Sequence, residues 1–340
     1  MNNWLEGLRQ AGAELSEDNQ AILNQSSVST LLIPLLHQAA IDVRGPDADK
    51  FLQGQLSADI SEARQLGSRL AAHCNIKGHM IVLWRLLALE DGFLLRTDSD
   101  NLDSGFKTLN KYIMFSKADA SDRRDSLVGI GLQGDDAAQL TAALLGEAPA
   151  GVDQVVRQGE RVAVKVPGER FEIWLPADDA ASLLPELLSQ AELGSSNDWR
   201  LSEIRAGIPT VCAATSEGFI PQMTNLQALN GVSFTKGCYT GQEIVTRLQH
   251  RGILKRPMYL ARIDSDQLPQ PGDALLGEAG VKIGQVVQAA KAENGCELLA
   301  VMIKEKADNG SVTLESDPTR TLEILPLPYE LDPRLFESKR

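Results

Sequence analysis

The longest apolar runs in this chain are short, and a charge breaks even these: Met80–Leu89 carries Arg85 near its centre. A bilayer-spanning helix needs about 20 apolar residues, so the chain reads as one that layers short elements around cores. From Thr30 these elements read as strands, TLLIPLL and then AAIDVRG. Gly45-Pro46 opens a helix, because proline is pre-set for a first helical turn, and Phe51, Leu52 and Leu56 share one of its faces. Arg69–Cys74, Met80–Leu89 and Gly92–Thr97 follow as strands, separated by Asn75-Ile76-Lys77-Gly78 and Glu90-Asp91-Gly92, both with turn chemistry. Leu102–Phe115 has helical spacing, and residues 1–25 read as a helical, acidic lead-in.

A second unit starts near Asp119. It has a strand at Leu127–Leu132, a helix at Asp135–Leu145, strands around Val152–Val156, Arg161–Val166 and Phe171–Leu175, and a helix at Ala177–Ala191. That is an α+β unit of ferredoxin-like size. Trp199–Ile208 reads as a helix ended by Pro209, and the last stretch, with MYLARID, VKIGQVV, CELLAVMI and SVTLE, reads as a small barrel. At 340 residues, 43% hydrophobic and 23% charged, the composition excludes disorder and fibrous repeats. With 33 bases against 46 acids the net charge is −13, which argues against a general DNA-coating role. The four cysteines show no C-x-x-C pairing, the amino terminus reads as neither a secretory signal nor a basic transit peptide, and a cytoplasmic protein without a membrane anchor is expected.

One segment concentrates chemistry: Asn230-Gly-Val-Ser-Phe-Thr-Lys236-Gly237-Cys238-Tyr239-Thr240-Gly241-Gln242-Glu243-Ile244. Thr240 and Glu243 have the spacing of a capping box, with Tyr239 placed to staple onto Ile244. Gly237 and Gly241 allow conformations that a side chain forbids. Cys238 then sits just before a helix start, where the dipole favours a thiolate. Between Gly231 and Arg256 five bases face one acid, a net +4 inside an acidic chain. An inert cysteine in a glycine loop is the competing reading. Cap, glycines and charge reversal together favour Cys238 as a functional thiol. His73, Cys74 and His79 form an H-C-x4-H cluster, read as strand-end residues rather than a metal site, and no metal site is assigned. Trp199 reads as core on general grounds, or as an aromatic platform for a planar ring.

KGCYTGQE resembles the signature of the YgfZ family, folate-binding proteins connected with iron–sulfur enzymes. The resemblance runs from about Thr30 to the chain's end, through DADKFLQGQLSADI, LAAHCNIKGHM, NKYIMFSKADA and LEILPLPYEL. That family is related to the T-protein, the aminomethyltransferase of glycine cleavage. The resemblance implies a lead-in over 1–26, a mixed α/β folate-binding core over 27–118 plus 197–250, a ferredoxin-like domain over 119–196 and a C-terminal β-barrel over 251–332. It implies tetrahydrofolate, or a folate derivative, as cofactor. The implied function is support of the assembly, repair or maintenance of iron–sulfur enzymes, such as a radical-SAM tRNA methylthiotransferase, with an effect on tRNA modification. Cys238 carries over as the functional thiol, and Trp199, Lys236, Gly237, Tyr239, Gly241, Gln242, Glu243 and Arg247 as the folate-site set. The alternative is a tetrahydrofolate-dependent aminomethyltransferase. Three departures bear on this. Leu83 stands where the T-protein has a carboxylate, Arg205 replaces a glutamate, and Gln38 replaces a folate-facing tryptophan. Leu83 cannot take a proton, which argues against aminomethyl transfer.

Overall fold

The computed structural model describes residues 1–15, the backbone of 21–22, and residues 30–338. The chain divides into two compact units. One comprises Met1–Leu52, Ile60–Arg69 and Trp84–Trp199; the other comprises Gln53–Asp59, Leu70–Leu83 and Arg200–Arg340.

In the first unit a six-stranded sheet runs in the order Val155–Gln158, Arg161–Val166, Arg170–Pro176, Leu127–Gly134, Thr30–Pro34, Glu192–Leu193. All its pairings are antiparallel except the last. Strand alternation assigns the two faces. Phe171, Ile173 and Leu175 point into a core with the helices Ala137–Leu145 and Ala177–Leu188, while Trp174 packs on the other face with Ile33, Val164 and Trp199. The amino-terminal helix is Asn2–Gln10, which buries Trp4 and Leu8 in the first of these cores. It is shorter than the lead-in read from sequence, which lies partly outside the described residues. The sequence division also places Thr30–Pro34 in the folate-type core, whereas its hydrogen bonds run to Leu127–Gly134. The helix read as Trp199–Ile208 runs Ser196–Arg205, three residues earlier. Ser195 and Asp198 cap it reciprocally: the Ser195 amide donates to Asp198 Oδ2 at 2.7 Å and the Asp198 amide to Ser195 Oγ at 3.3 Å.

A five-stranded sheet follows the order Ser68–Cys74, Met80–Ala88, Gly92–Asp98, Gln38–Arg44, Asp119–Asp122. Its first two strands each begin in one unit and end in the other. The charge inside the longest apolar run is explained here. Arg85 is buried, donates to Asp153 at 2.8 Å and lies 3.8 Å from Glu172. Glu172 is fully buried and takes a bidentate bond from Arg96 at 2.9–3.1 Å and another from Trp174 Nε1 at 2.8 Å. Burial alone would raise the Glu172 pKa, but Arg96 and Arg85 outweigh it and hold the carboxyl below its ordinary range.

In the second unit a seven-stranded antiparallel sheet curls into a half-barrel, in the order Asp317–Thr321, Thr313–Leu314, Ala274–Leu276, Lys282–Lys291, Cys296–Met302, Met258–Ile263, Glu323–Leu325. Register shifts at Leu275/Leu276 and Val286/Gln288 supply the local bends that curling needs. Ala261, Ile263, Leu298 and Met302 fill one face, and Leu260, Leu299 and Val301 pack on the other with Cys74, Phe219 and Leu226.

Replacing Glu172 by Gln removes the buried carboxylate that Arg96 bonds bidentately and that Arg85 faces, and breaking a buried pair typically costs about 3–5 kcal/mol. Urea unfolding at pH 7 is expected to show a loss of that order. The native pKa lies below the unfolded one, so the carboxylate's contribution is complete above about pH 4.3. It is lost as pH falls through the native value, and the gap between wild type and variant closes in acid. A gap that stays constant into acid contradicts this assignment.

Candidate functional site

The segment around Cys238 is stitched to two other stretches of the same unit. Ser57 Oγ donates to the Gly231 carbonyl at 2.6 Å and accepts from the Ala72 amide at 2.8 Å, and the Ser233 amide donates to the Ser57 carbonyl at 2.8 Å. Lys236 is buried. Its ammonium donates to the carbonyls of Leu56 at 2.7 Å and Ala58 at 2.8 Å and lies 5.1 Å from the Tyr239 ring centroid. Burial lowers its pKa to about 8, against an opposing pull from Asp59.

The helix of the motif is Gln242–Arg251, and its start corrects the sequence reading. Gly241, not Thr240, is the N-cap, with φ 82° and ψ 0°, and no side chain caps the helix. The cause is a close approach: a β-carbon on Gly241 would stand 2.5 Å from the Asn75 carbonyl oxygen and 2.9 Å from Cys74 Cβ. The backbone itself packs on the turn Asn75–Gly78, and only glycine takes that position in the left-handed region without strain. Glu243 still sits in the first turn, where its charge meets the helix dipole. Ile244 lies over Gly78, and Gln222 holds the helix by donating to the Val245 carbonyl at 2.6 Å. Gly237, by contrast, has open space around its would-be side chain, so neither sterics nor a positive φ demands glycine there.

Cys238 is exposed, whereas Cys74, Cys212 and Cys296 are buried. Burial pushes the Cys74 thiol up to about 12 and raises that of Cys296 as well. Burial likewise raises the Tyr239 phenol, with Cys74 adding to it, and the Tyr239 hydroxyl has no hydrogen-bond partner. His73 is buried with both ring nitrogens unpartnered, and burial lowers its pKa to about 4, so it is neutral. Among the described residues no three His, Cys, Asp or Glu side chains are grouped as metal ligands. Lys236, Gly237, Cys238, Tyr239, Gly241, Gln242 and Glu243 thus form one contiguous loop and helix start, with Arg247 exposed further along the helix.

Trp199 is not part of that arrangement. It is fully buried in the first unit, where a β-carbon on Gly131 would stand 2.5 Å from its ring and the Arg170 guanidinium lies 4.8 Å from the ring centroid. It is a core residue here and presents no free face to a ligand. Leu83 is buried in the apolar core of the second unit, and Arg205 is paired with Glu297 at 2.6 Å. Sequence reasoning missed the Leu56 and Ala58 carbonyls and Ser57, which hold the loop, because backbone acceptors carry no residue signature. It also missed a cavity of about 380 Å³ in the first unit, lined by Leu35, Gln38, Asp100, Arg124 and Val128 among others. The buried Gln38 carboxamide has no partner at either atom.

Over 306 residues the chain is 38% identical to the tRNA-modifying protein YgfZ of Escherichia fergusonii, covering 88% of this chain and 94% of that one. The Shigella boydii protein of the same description matches at 38% over 307 residues. The chain belongs to the YgfZ family. No protein-family model matches it. Among solved structures, the glycine cleavage system aminomethyltransferase T of Bartonella henselae superposes with a TM-score of 0.72 over 96% of both chains, at 20% identity. At that identity the likeness concerns the fold, and it agrees with the α+β arrangement and the curled carboxy-terminal sheet. Within the segment from Lys236 to Glu243, Cys238 is distinguished by its exposure, not by a helix cap. Among the described residues no helix is long and apolar enough to cross a membrane.

Iodoacetamide labelling of the native protein between pH 6 and 9, quantified per cysteine by mass spectrometry, is expected to modify Cys238 first. The margin over the buried thiols should be roughly tenfold or more, since alkylation needs an accessible thiolate. Faster labelling of Cys74, Cys212 or Cys296 contradicts the structure.

Proposed function

We propose that this protein supports tRNA modification, specifically methylthiolation, by maintaining iron–sulfur enzymes in the cytoplasm, with Cys238 as its working thiol and a folate as its small-molecule ligand. The observation that carries the reading is the exposure of Cys238 on a loop held rigidly from behind by Lys236 and Gly241. The relatives named as tRNA-modifying proteins supply the process. The aminomethyltransferase alternative is disfavoured by Leu83, an apolar core residue where general-base chemistry needs a carboxylate.

Two residues bear on a folate: Trp199, from the set assigned by sequence, and Gln38, which stands where the resemblance expects a folate-facing tryptophan. Trp199 does not fit, because Arg170 and the Gly131 backbone already occupy the space around its ring. Gln38 does fit: an orphaned carboxamide lining a cavity offers one acceptor and two donors, which suit the amino-oxo edge of a pterin. When bound, a folate would supply a one-carbon carrier, and Gln38 would orient its ring.

Two experiments test this. A Cys238→Ser strain is expected to lose methylthiolated tRNA to the level of the deletion strain while protein abundance, followed by immunoblot, stays normal. Wild-type levels of the modification at normal abundance would refute the role of the thiol. In calorimetric titration with 5-formyltetrahydrofolate, Gln38→Leu is expected to weaken binding about tenfold, the effect of one net hydrogen bond of about 1.4 kcal/mol. Unchanged affinity places the ligand elsewhere.

A further inference from the structure

The function proposed above uses Cys238 and leaves the cations beyond it unexplained. Arg247, Arg251, Lys255 and Arg256 are all exposed, and among the described residues none makes an ion pair or side-chain hydrogen bond. Arg247 and Arg251 are four residues apart on the helix Gln242–Arg251, hence on one face. His250 is exposed beside them, edge-on to Phe234 with ring centroids 6.4 Å apart. The Lys255 carbonyl accepts from the Lys304 amide at 2.9 Å, but the Lys304 ammonium is paired with Asp308 and adds no net charge to the run.

The acids nearby are few. Glu243 stands one turn before Arg247 on the same helix face, Asp332 is paired with Arg334 at 2.7 Å, Glu337 also lies near Arg334, and Asp308 is paired with Lys304. Many cations of this chain pair with a carboxylate, as Arg205 does with Glu297 and Arg262 with Glu323. The cations of this run do not, and in a chain of net charge −13 their mutual repulsion is screened by salt and lowered further by a bound polyanion.

We propose that the face formed by Arg247, His250, Arg251, Lys255 and Arg256 is a contact surface for the phosphate backbone of RNA. Three of the four cations are arginines, whose planar forks match phosphate and carboxylate oxygens alike, and RNA is chosen over an acidic protein on the proposed role in tRNA modification and on the aromatic pair beside the run. The Phe234–His250 pair adds aromatic surface at the edge of the run, which unpaired bases can stack upon. The choice of RNA over DNA rests on the proposed role in tRNA modification. The charge argument does not.

The test is fluorescence anisotropy of labelled bulk tRNA with the full-length protein. Four phosphate contacts give a slope of log affinity against log salt of about −3, which is a loss of roughly sixtyfold between 50 and 200 mM salt. Replacing Arg247, Arg251, Lys255 and Arg256 together by Ser is expected to abolish the salt-dependent binding, and Arg247→Ala alone to lower the slope by about one. Arg262→Ser, an exposed cation with its own carboxylate partner, is expected to bind as wild type does. Because all four positions are exposed, the variant should keep its thermal midpoint, which is measured alongside.

The proposal is overturned if tRNA does not bind at 50 mM salt or if the fourfold variant binds undiminished. It is also overturned if polyglutamate or duplex DNA displaces the tRNA as effectively as unlabelled tRNA does. These outcomes leave the Cys238 phenotype untouched. A wild-type phenotype for Cys238→Ser, in turn, leaves the binding measurement untouched.

Discussion

The ammonium of Lys236 has exchanged water for two backbone carbonyls, those of Leu56 and Ala58, and the candidate site is built on that exchange. Burying a charge is unfavourable unless it is fully hydrogen-bonded, and the depressed pKa of about 8 records the part of that cost the carbonyls and Asp59 do not offset. At neutral pH the amine is still mostly protonated, so the bonds it donates are charge-assisted and strong. They draw the loop onto residues 56–58, and Ser57 bonds the same stretch to Gly231 and Ala72. Removing the lysine head would leave two buried carbonyls without donors.

The first unit uses charge in a different way. Arg96, Glu172, Arg85, Asp153 and Arg69 form a chain of ion pairs whose centre is fully buried. Such a chain adds little net stability over an apolar core of equal volume. It does tie two sheets together, because Arg85 and Arg96 are cross-strand neighbours in the five-stranded sheet while Glu172 lies in the six-stranded one. Glu172 is bonded by Arg96 and by Trp174 on its own strand.

Local structure was legible in the sequence wherever its cause is local. The strand read as Arg161–Val166 is found with those bounds, the one read as Gly92–Thr97 runs one residue further to Asp98, and the turn residues located Asn75–Gly78. Sheet membership was not legible for Thr30–Pro34, because its partner Leu127–Gly134 lies about a hundred residues away and nothing in five residues encodes that distance. The capping box failed for a related reason. Thr240 and Glu243 have the right spacing, but the contact of Gly241 with the Asn75 carbonyl decides where the helix begins. Trp199 reads as core on general grounds and as a ring platform only through the family resemblance. Gly131 and Arg170 decide between them by enclosing the ring.

The same long-range contacts explain why one cysteine of four differs from the rest. Cys74 lies beneath Gly241, Cys296 is enclosed in the half-barrel core and Cys212 is buried among its neighbours. Lys236 and Gly241 clamp the loop on either side of Cys238 yet leave its own position open. A flexible segment that presents a thiol must be ordered when a partner docks, and each immobilised side chain then subtracts from affinity. Here folding has already done that ordering. The unpartnered Tyr239 hydroxyl and His73 nitrogens add an unfavourable desolvation of the kind that persists only where the surrounding packing over-determines the arrangement. The loop is accordingly held by packing on both sides of Cys238 while the thiol itself stays exposed.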